Sequence, residues 1–341
     1  TEIAWEKGWV KNLSSQNQYK QKVAIIGSGP AGMAASAYLI QNGYKVDVYE
    51  KNDRAGGLMI YGIPNFKLDK KIVERRTEWL TDSGVVFNLN TEVGKNISFQ
   101  DLEKDYDAIL IATGVYKARQ LDIDTSTVNN SIPALDFLIE SNRTGLGDSP
   151  SKNKYLTAKD KHVVVIGGGD TAMDCVRTAI RQQAKEVTCL YRRNKENMPG
   201  SAREVLNAEQ EGIKFNWLSV PSKIISDSAT ATSMTYKVAT LGEVDESGRR
   251  KPIDTGVEKQ IKSDLIIQAL GFEPEDLNHN FKTNIELTSW KTVKVDFKKF
   301  QTSNPKIFAA GDIVRGASLV VWAIHDLSLI HISEPTRPRL I

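Results

Sequence analysis

Residues 22–50, KVAIIGSGPAGMAASAYLIQNGYKVDVYE, decide the fold of this chain. An apolar run leads into GSGPAG at residues 27–32, a helical segment follows, and a second apolar run ends at Glu50. A G-x-G-x-x-G pattern predicts a dinucleotide-binding βαβ unit when it joins a strand to a helix in this way. Gly27 would allow the tight turn, Gly29 would let backbone N–H groups approach a pyrophosphate, and Gly32 would let the helix pack on the strand.

Glu50 lies about 20 residues beyond the glycines, where a carboxylate reads the ribose of a bound nucleotide. An acid there accepts hydrogen bonds from a 2′-hydroxyl, so this half of the chain should bind an unphosphorylated ADP moiety, as in FAD or NAD. The alternative is an ordinary glycine turn in a βαβ unit, because a single motif of this kind is weak evidence. The pattern, however, occurs twice in the chain.

The second copy occupies residues 161–193, KHVVVIGGGDTAMDCVRTAIRQQAKEVTCLYRR. Gly167 and Gly169, with Ala172 in place of the third glycine, again stand between a predicted strand and a predicted helix. Two such patterns in one chain predict two dinucleotide-binding domains.

Arg192 and Arg193 end this second copy, directly after Tyr191, which stands where the acid stood in the first. A carboxylate there would repel a 2′-phosphate, whereas a guanidinium binds one through bidentate, charge-assisted hydrogen bonds. A solvated strand end is the alternative interpretation. The position of both arginines in a complete fingerprint favours the phosphate, so the second site should take NADPH rather than NADH.

The composition excludes several classes of protein. Lys and Arg number 45 against 42 Asp and Glu, and this net charge of +3 indicates neither a nucleic-acid nor a membrane partner. No apolar run approaches the length of a membrane span. The two cysteines, Cys175 and Cys189, form no C-x-x-C motif, which predicts a reducing, cytoplasmic compartment and argues against a disulfide reductase. The four histidines show no metal-ligand spacing, so no metal site is predicted.

Hydrophobic periodicity predicts the elements outside the fingerprints. They are a helix over residues 68–83, strands over 85–89 and 106–111, a domain crossing over 121–159 with a short helix at 134–139, an antiparallel excursion over 224–238 and 260–270 around a polar turn at 243–251, and a strand over 306–312. Ser201 and Glu204 match a capping box, so a helix should begin at Ser201. Trp5 and Trp9 are spaced to share one helical face near the start of the chain.

The two ends of the chain carry separate expectations. Residues 327–341, LSLIHISEPTRPRLI, contain two prolines and are not expected to continue the helix predicted for 318–326. They resemble the translation of a transposon end used in sequencing-library preparation, so we expect an artefact there. Because the first residue is Thr1, we expect the natural N-terminus to lie upstream.

Taken together, these motifs resemble those of the flavoprotein reductases with two dinucleotide-binding domains, and within them the small-subunit family of NADPH-dependent glutamate synthases. The resemblance covers residues 5–326. It rests on AWEKGWV, GSGPAG, DRAGGLMIYGIPNFKLDK, NTEVGK, IATGVYKAR, VVVIGGGDTAMDCVRTAIRQQAKEVTCLYRR, ENMPGSAREV, GFEPEDL and TSNPKIFAAGDIVRGASLVV.

The resemblance implies an α/β fold with two Rossmann-like domains, as in glutathione and adrenodoxin reductases. Residues 1–20 would form an N-terminal arm. Residues 21–140 and 285–326 would form a discontinuous FAD-binding domain, into which an NADPH-binding domain, residues 141–284, is inserted.

The resemblance also assigns residues to the two cofactors. Those that would hold FAD are Gly27, Gly29, Pro30, Ala31, Glu50, Gly57, Leu58, Thr113, Gly114, Gly311 and Asp312. Those that would hold NADPH are Gly168, Gly169, Asp170, Thr171, Arg192 and Arg193. Asp170 is an unfavourable residue for binding NADPH, because a carboxylate repels a pyrophosphate. The alternative role for Asp170 is that of a helix N-terminal cap.

No catalytic side chain is predicted, because hydride transfer from NADPH to FAD is carried out by the cofactors themselves. A helix N-terminus near residues 316–318 could stabilise charge at the flavin. The family implies two [4Fe–4S] clusters in an upstream region, for which this chain has no cysteine ligands, and a large (α) subunit that forms glutamate in ammonia assimilation. The alternatives are the electron-input module of another reductase, such as a dihydropyrimidine dehydrogenase-type or ferredoxin–NADP reductase-like protein, and a non-catalytic dinucleotide-binding subunit.

Overall fold

The computed structural model describes residues 2–244 and 250–330. The chain divides into two compact units. The first unit comprises Thr1–Ile60, Leu68–Lys117 and Phe272–Ile341, and the second comprises Tyr61–Lys67 and Ala118–Gly271.

The helices and strands alternate along most of the chain, as in other α/β proteins. The helices are α1 (Glu2–Glu6), α2 (Pro30–Gln41), α3 (Leu58–Tyr61), α4 (Lys70–Asp82), α5 (Phe99–Asp105), α6 (Ala134–Gly145), α7 (Asp170–Arg181), α8 (Ala202–Gln210), α9 (Leu277–Phe281), α10 (Asp312–Arg315) and α11 (Val320–Ile330), with single 3₁₀ turns at Lys154–Leu156 and Lys195–Asn197. The strands are β1 (Lys22–Ile26), β2 (Lys45–Tyr49), β3 (Val86–Asn88), β4 (Ala108–Ile111), β5 (Lys117–Ala118), β6 (Ser131–Pro133), β7 (His162–Ile166), β8 (Glu186–Leu190), β9 (Lys214–Asn216), β10 (Ser219–Asp227), β11 (Thr230–Val244), β12 (Arg250–Lys262), β13 (Leu265–Gln268), β14 (Phe272–Glu273) and β15 (Ile307–Ala309).

The first unit is built on a parallel sheet with the strand order β15-β4-β1-β2-β3. All of β1 after Lys22 is buried, because a parallel strand in the middle of such a sheet is covered on both faces. The first fingerprint lies between β1 and α2. Strand order reverses between β1 and β4, which creates the crevice at the carboxyl ends of the strands where α/β proteins bind nucleotides.

The second unit repeats four strands of this arrangement, with an edge strand that comes first in the chain and not last. Its parallel sheet has the order β6-β13-β7-β8-β9, with the second fingerprint between β7 and α7. An antiparallel sheet, β10-β11-β12, is inserted before the chain returns through β13, as the sequence predicted. Part of the predicted turn at 243–251, residues 245–249, lies outside the described residues.

Each unit has its own hydrophobic core. In the first, Ile25, Val48 and Ile109 are fully buried, and in the second, Val165 and Met173 are. The clusters of buried apolar side chains within the described residues each stay inside one unit. Since burial of each such side chain contributes about 1.5–3 kcal/mol, each unit has an independent source of stability.

The observed division differs from the predicted bounds at 140 and 284. Strand β6 pairs with β13 in the second sheet, so the second unit already begins at Ala118, and it ends at Gly271. The predicted crossing at 121–159 contains α6, which continues to Gly145 beyond the expected short helix. Tyr61–Lys67, a loop that interrupts the first unit, is counted with the second.

Two local predictions were wrong, and a third was confirmed only in part. Helix α1 ends at Glu6, so Trp9 does not share its face and is exposed. Ser201 is the N-cap of α8, which confirms the predicted helix start, but its side chain makes no capping hydrogen bond, and the side chain of Glu204 binds Arg177 and not the backbone of Ser201. Helix α11 continues to Ile330, since no proline interrupts it before that point. The rest of the predicted artefact, residues 331–341, lies outside the described residues. No helix in the described ranges is long and apolar enough to cross a membrane.

Candidate dinucleotide-binding sites

The first fingerprint has the backbone geometry that its glycines predict. Gly27 has a φ of +104°, and a Cβ there would overlap the carbonyl oxygen of Ala112. A Cβ at Gly32 would overlap the carbonyl oxygen of Gly27, so α2 packs tightly on β1. At Gly29, by contrast, a Cβ would meet no atom within 4 Å. Pro30 then begins α2, where its missing N–H costs no helical hydrogen bond.

Glu50 follows β2 and is buried, with hydrogen bonds to both carboxylate oxygens. Ser28 donates to Oε2 from its backbone N–H at 3.1 Å and from its hydroxyl at 2.5 Å. Asn52 donates to Oε1 from its backbone N–H at 2.9 Å and from its side-chain amide at 2.7 Å. The Ser28 hydroxyl in turn accepts from the N–H of Gly56. A carboxylate has about four acceptor positions, and these four donors occupy them. A ribose hydroxyl would therefore displace one of the donors or share its acceptor position.

The other predicted residues next to the first fingerprint occupy two further turns. Gly57 has a φ of +54°, and a Cβ there would lie 2.8 Å from Cα of Gly29. Leu58 directly follows it as the first residue of α3. Thr113 and Gly114 follow β4, and Gly114 has a φ of +70°. The first of these turns brings glycine backbone close to the open space at Gly29, and the second places Thr113 beside Gly27.

Gly311 and Asp312 follow shortly after β15, as the N-cap and the first residue of α10. Gly311 has a φ of +79°, and a Cβ there would lie 3.0 Å from Cβ of Ala31 on α2. Its N–H donates to Asp326, which is fully buried. Asp312 accepts hydrogen bonds from the backbone and hydroxyl of Ser318 at 3.2 and 2.7 Å. Burial raises the pKa of the Asp312 carboxyl, and the bonds from Ser318 oppose that rise.

The second fingerprint repeats the steric design of the first. Gly167 has a φ of +147°, and a Cβ there would overlap the carbonyl oxygen of Ala269, at the end of β13. Gly169 matches Gly29, since a Cβ there would meet no atom within 4 Å. Thr171 lies in the first turn of α7, at whose N-terminus the helix dipole favours an anion.

A loop at residues 197–201 folds over this fingerprint. The N–H of Gly200 donates to the carbonyl of Gly168 at 2.9 Å, and the N–H of Ser201 donates to Oδ1 of Asp170 at 2.9 Å. The predicted alternative role of Asp170 as the helix cap was therefore wrong, because the N-cap is Gly169 and Asp170 is the first residue of α7. Its carboxylate holds the loop instead.

Tyr191 takes the position that Glu50 has in the first unit. Its ring lies where a Cβ at Gly168 would be, so the ring packs directly on the fingerprint backbone. Arg192 is exposed and makes no hydrogen bond or ion pair with any described residue. Nε of Arg193 donates to the carbonyl of Arg250 at 2.9 Å. The guanidinium of Arg192 is therefore available to a ligand, and the guanidinium of Arg193 is positioned by its hydrogen bond to β12.

Helix α7 is also bound to Tyr61–Lys67, the loop that the second unit takes from the first half of the sequence. Nζ of Lys67 lies 2.8 Å from Oδ1 of Asp174. The guanidinium carbon of Arg181 lies over the ring of Phe66, 3.8 Å from the ring centroid. The side-chain amide of Asn142 donates to the carbonyl of Tyr61. These contacts fix both ends of the loop.

An ion-pair network joins α7 to α8. Arg177 lies 2.8 Å from Oε1 of Glu211 and 2.6 Å from Oε2 of Glu204, and Arg181 lies 2.7 Å from Oε2 of Glu211. The hydrogen bond from Arg181, followed by that from Arg177, lowers the pKa of Glu211 to about 2, against an opposing effect of burial. The charged form of Glu211 is therefore the one that the folded state favours.

Several residues around these sites were not predicted. Ser28 lies inside the first motif, at a position that the pattern leaves open, so its hydroxyl could have been considered as a partner for Glu50. Tyr116 and Lys67 carry no local signal, because their partners come from other parts of the sequence. Only the fold brings such residues together.

The residues of both units fit a dinucleotide. Each unit presents open space at the second glycine of its fingerprint, next to a helix N-terminus, and closely packed glycines around it. Such a cradle suits a pyrophosphate, as expected for FAD in the first unit and NADPH in the second. Groups of three or more His, Cys, Asp or Glu side chains that could hold a metal ion are absent from the described residues.

Comparison with known proteins agrees with this geometry. Residues 21–326 match the family described as pyridine nucleotide-disulphide oxidoreductase. The chain is 49% identical over 329 residues to the glutamate synthase [NADPH] small chain of Azospirillum brasilense, covering 95% of this chain and 68% of the relative. The chain belongs to the glutamate synthase small-chain family.

The small-chain family is also represented by the glutamate synthase [NADPH] small chain of Escherichia coli K12, which is 44% identical over 95% of this chain and 70% of its own length. Among solved structures, Mycobacterium tuberculosis FprA in complex with NADPH matches with a TM-score of 0.74, covering 92% of this chain and 83% of FprA at 19% identity. At that identity the likeness concerns the fold, and it confirms the predicted α/β class.

Proposed function

We propose that this chain is an NADPH-dependent flavoprotein oxidoreductase, which takes hydride from NADPH onto FAD and passes the electrons to a glutamate-forming large subunit. The observation that carries the proposal is the contrast between two equivalent strand ends. Buried Glu50 follows β2, and Arg192 and Arg193 follow β8. The acid suits a ribose with a free 2′-hydroxyl, and the arginines suit one with a 2′-phosphate.

The chain's own residues act by binding and orientation. The open N-termini of α2 and α7 would hold the two pyrophosphates, and Gly57, Gly114 and Gly311 would let the backbone approach FAD. Bound FAD and NADPH supply the hydride chemistry, which needs no side-chain acid or nucleophile. The exposed guanidinium of Arg192 would bind the 2′-phosphate, with Arg193 beside it.

The onward partner follows from the relatives. Proteins named small chain of glutamate synthase imply a large subunit, and we propose that such a subunit receives electrons from this chain. Two [4Fe–4S] clusters in an upstream region would relay them. Cys175 and Cys189 are free and buried, and burial raises the pKa of Cys189 to about 12. Such inert thiols fit the reducing cytoplasm that we propose as the compartment.

The test is anaerobic titration of the FAD-reconstituted chain with NADPH and, in parallel, with NADH. We expect stoichiometric NADPH to bleach the flavin absorbance and NADH to act much more weakly. The double variant Arg192→Ala/Arg193→Ala should lose at least about tenfold of this preference, because each charged hydrogen bond contributes about 1.5–3 kcal/mol. Arg203→Ala, which removes an exposed arginine of α8, is the charge-matched control.

Two outcomes would contradict the proposal in different ways. If FAD binds but neither nucleotide reduces it, the chain is a binding subunit and not a reductase. If NADPH remains preferred in the double variant, the arginines do not read the 2′-phosphate.

A further inference from the structure

Tyr116 lies beside the first site, although no motif singles it out. It follows Thr113 and Gly114 after β4 and is half-buried. Its ring lies 3.2 Å from the position that a Cβ of Gly114 would take. Its hydroxyl lies 3.5 Å from the position that a Cβ of Gly57 would take, and Gly57 in turn is close to Gly29. The phenol therefore lies next to the open space at the N-terminus of α2.

Lys51 holds the ring in this orientation. Its Nζ lies 4.6 Å from the centroid of the Tyr116 ring, and 3.8 Å from Oε1 of Glu275. A cation over an aromatic ring stabilises the pair by about 0.5–1 kcal/mol where both are partly exposed. The Tyr116 ring therefore contacts the ammonium group of Lys51 and lies against Gly114, and its hydroxyl lies beside Gly57.

The hydroxyl of Tyr116 makes no hydrogen bond to any residue that the structure describes. Tyr106 in the same unit differs, because its hydroxyl donates to Asp47 at 2.5 Å. Burial and then the negative charges of Glu50, Asp312 and Glu275 raise the pKa of Tyr116, so the phenol keeps its proton. A protonated phenol with no acceptor in the chain is an available donor at the site.

We propose that Tyr116 is a further cofactor-binding residue, whose hydroxyl donates a hydrogen bond to a pyrophosphate oxygen of FAD in the first site. The inference rests on the proposed function, since it takes FAD as the occupant. The acceptor follows from position, because the open space at Gly29 is where a helix N-terminus attracts the pyrophosphate. A phenol supplies a hydrogen bond there without adding charge beside Glu50 and Asp312.

The test compares FAD affinity of Tyr116→Phe with that of the parent chain, by quenching of flavin fluorescence in the absence of NADPH. The variant keeps the ring and its contact with Lys51 and removes only the donor. We expect the Kd for FAD to rise about tenfold, as for loss of one hydrogen bond to a charged group. Tyr19→Phe is the matched control, because Tyr19 is exposed and stacks on Tyr44 at the end of α2 opposite Gly29.

Competition with nucleotide fragments locates the bonded group. The inhibition constant of ADP, corrected for the affinity of FAD, should rise about tenfold in the variant, since ADP carries two phosphates in the pyrophosphate position. Adenosine, which carries no phosphate, should bind equally well to both proteins. Equal loss for adenosine and ADP would place the bond outside the pyrophosphate and overturn the assignment.

The remaining outcomes also decide the question. The apoprotein of Tyr116→Phe should unfold at the same midpoint as the parent, and a lower midpoint would show that the hydroxyl has a partner within the chain. An unchanged Kd for FAD would overturn this inference alone. A parent chain that binds no FAD would overturn the proposed function, and the assignment of Tyr116 with it.

Discussion

Gly27 and Gly29 stand two positions apart in the same turn and have different steric surroundings. Alanine at Gly27 must adopt a φ of +104° and push its Cβ into the carbonyl of Ala112. Alanine at Gly29 meets open space and needs no unusual backbone, because φ there is −66°. One glycine is therefore required by the fold, and we propose that the other is required by the cofactor.

Substitution of these glycines should separate stability from binding. We expect Gly29→Ala to leave the unfolding midpoint of the apoprotein unchanged while weakening FAD binding at least about tenfold, since its methyl group occupies the pyrophosphate position. Gly27→Ala should lower the stability by about 1–3 kcal/mol even without cofactor. Thermal unfolding of the apoproteins and FAD titration together measure both effects. Equal destabilisation by the two variants would contradict the steric argument.

At the scale of elements, α7 and α8 are joined by Glu211, whose two oxygens bind Arg177 and Arg181. The pKa of Glu211 falls from 4.5 to about 2 on folding. A lowered carboxyl pKa stabilises the folded state above the unfolded pKa, and this contribution disappears as the pH falls from about 4.5 to about 2. The shift corresponds to roughly 3 kcal/mol at neutral pH.

Glu211→Gln should therefore destabilise the second unit at pH 7 by an amount that shrinks as the pH is lowered towards 3. Urea unfolding at a series of pH values measures the difference between variant and parent. Glu209→Gln is a suitable control, because Glu209 pairs with Lys195 on the exposed side of α8 and such pairs contribute about 0–1 kcal/mol. A pH-independent difference would show that Glu211 acts by packing and not by charge.

The same pair of helices shows what sequence patterns can and cannot predict. The fingerprints, both parallel sheets and the antiparallel insertion followed from glycine spacing and apolar runs, because these depend on neighbouring residues. The capping box predicted at Ser201 involves only residues close in sequence. The side chain of Glu204, however, binds Arg177 and lies near Lys67, and both of these residues are distant in sequence. Asp170 likewise bonds Ser201. Where a side chain has several possible partners, the fold decides which of them it binds. The local sequence pattern carries no information about distant partners.

At the scale of the whole molecule, the two units share the order of four strands, β4-β1-β2-β3 and β13-β7-β8-β9, and have separate cores. Each nucleotide should therefore respond only to its own fingerprint. We expect Gly169→Ala to weaken NADPH binding without changing the Kd for FAD, and Gly29→Ala to have the converse effect. Fluorescence titration of each variant with each nucleotide measures this. A loss of FAD affinity in Gly169→Ala would show that the sites are thermodynamically coupled.

The discontinuous path of the first unit has a consequence for the order in which the chain can fold as it is made. Strand β4 pairs with β15, which is translated only after all of Ala118–Gly271. Domains fold as units during synthesis, from the N-terminus onward. The sheet of the first unit is therefore incomplete until β15 has been synthesised. By that time, every strand of the second unit's parallel sheet has already been made. On the ribosome, the nascent chain therefore completes the arginine-bearing unit first and the Glu50-bearing unit second.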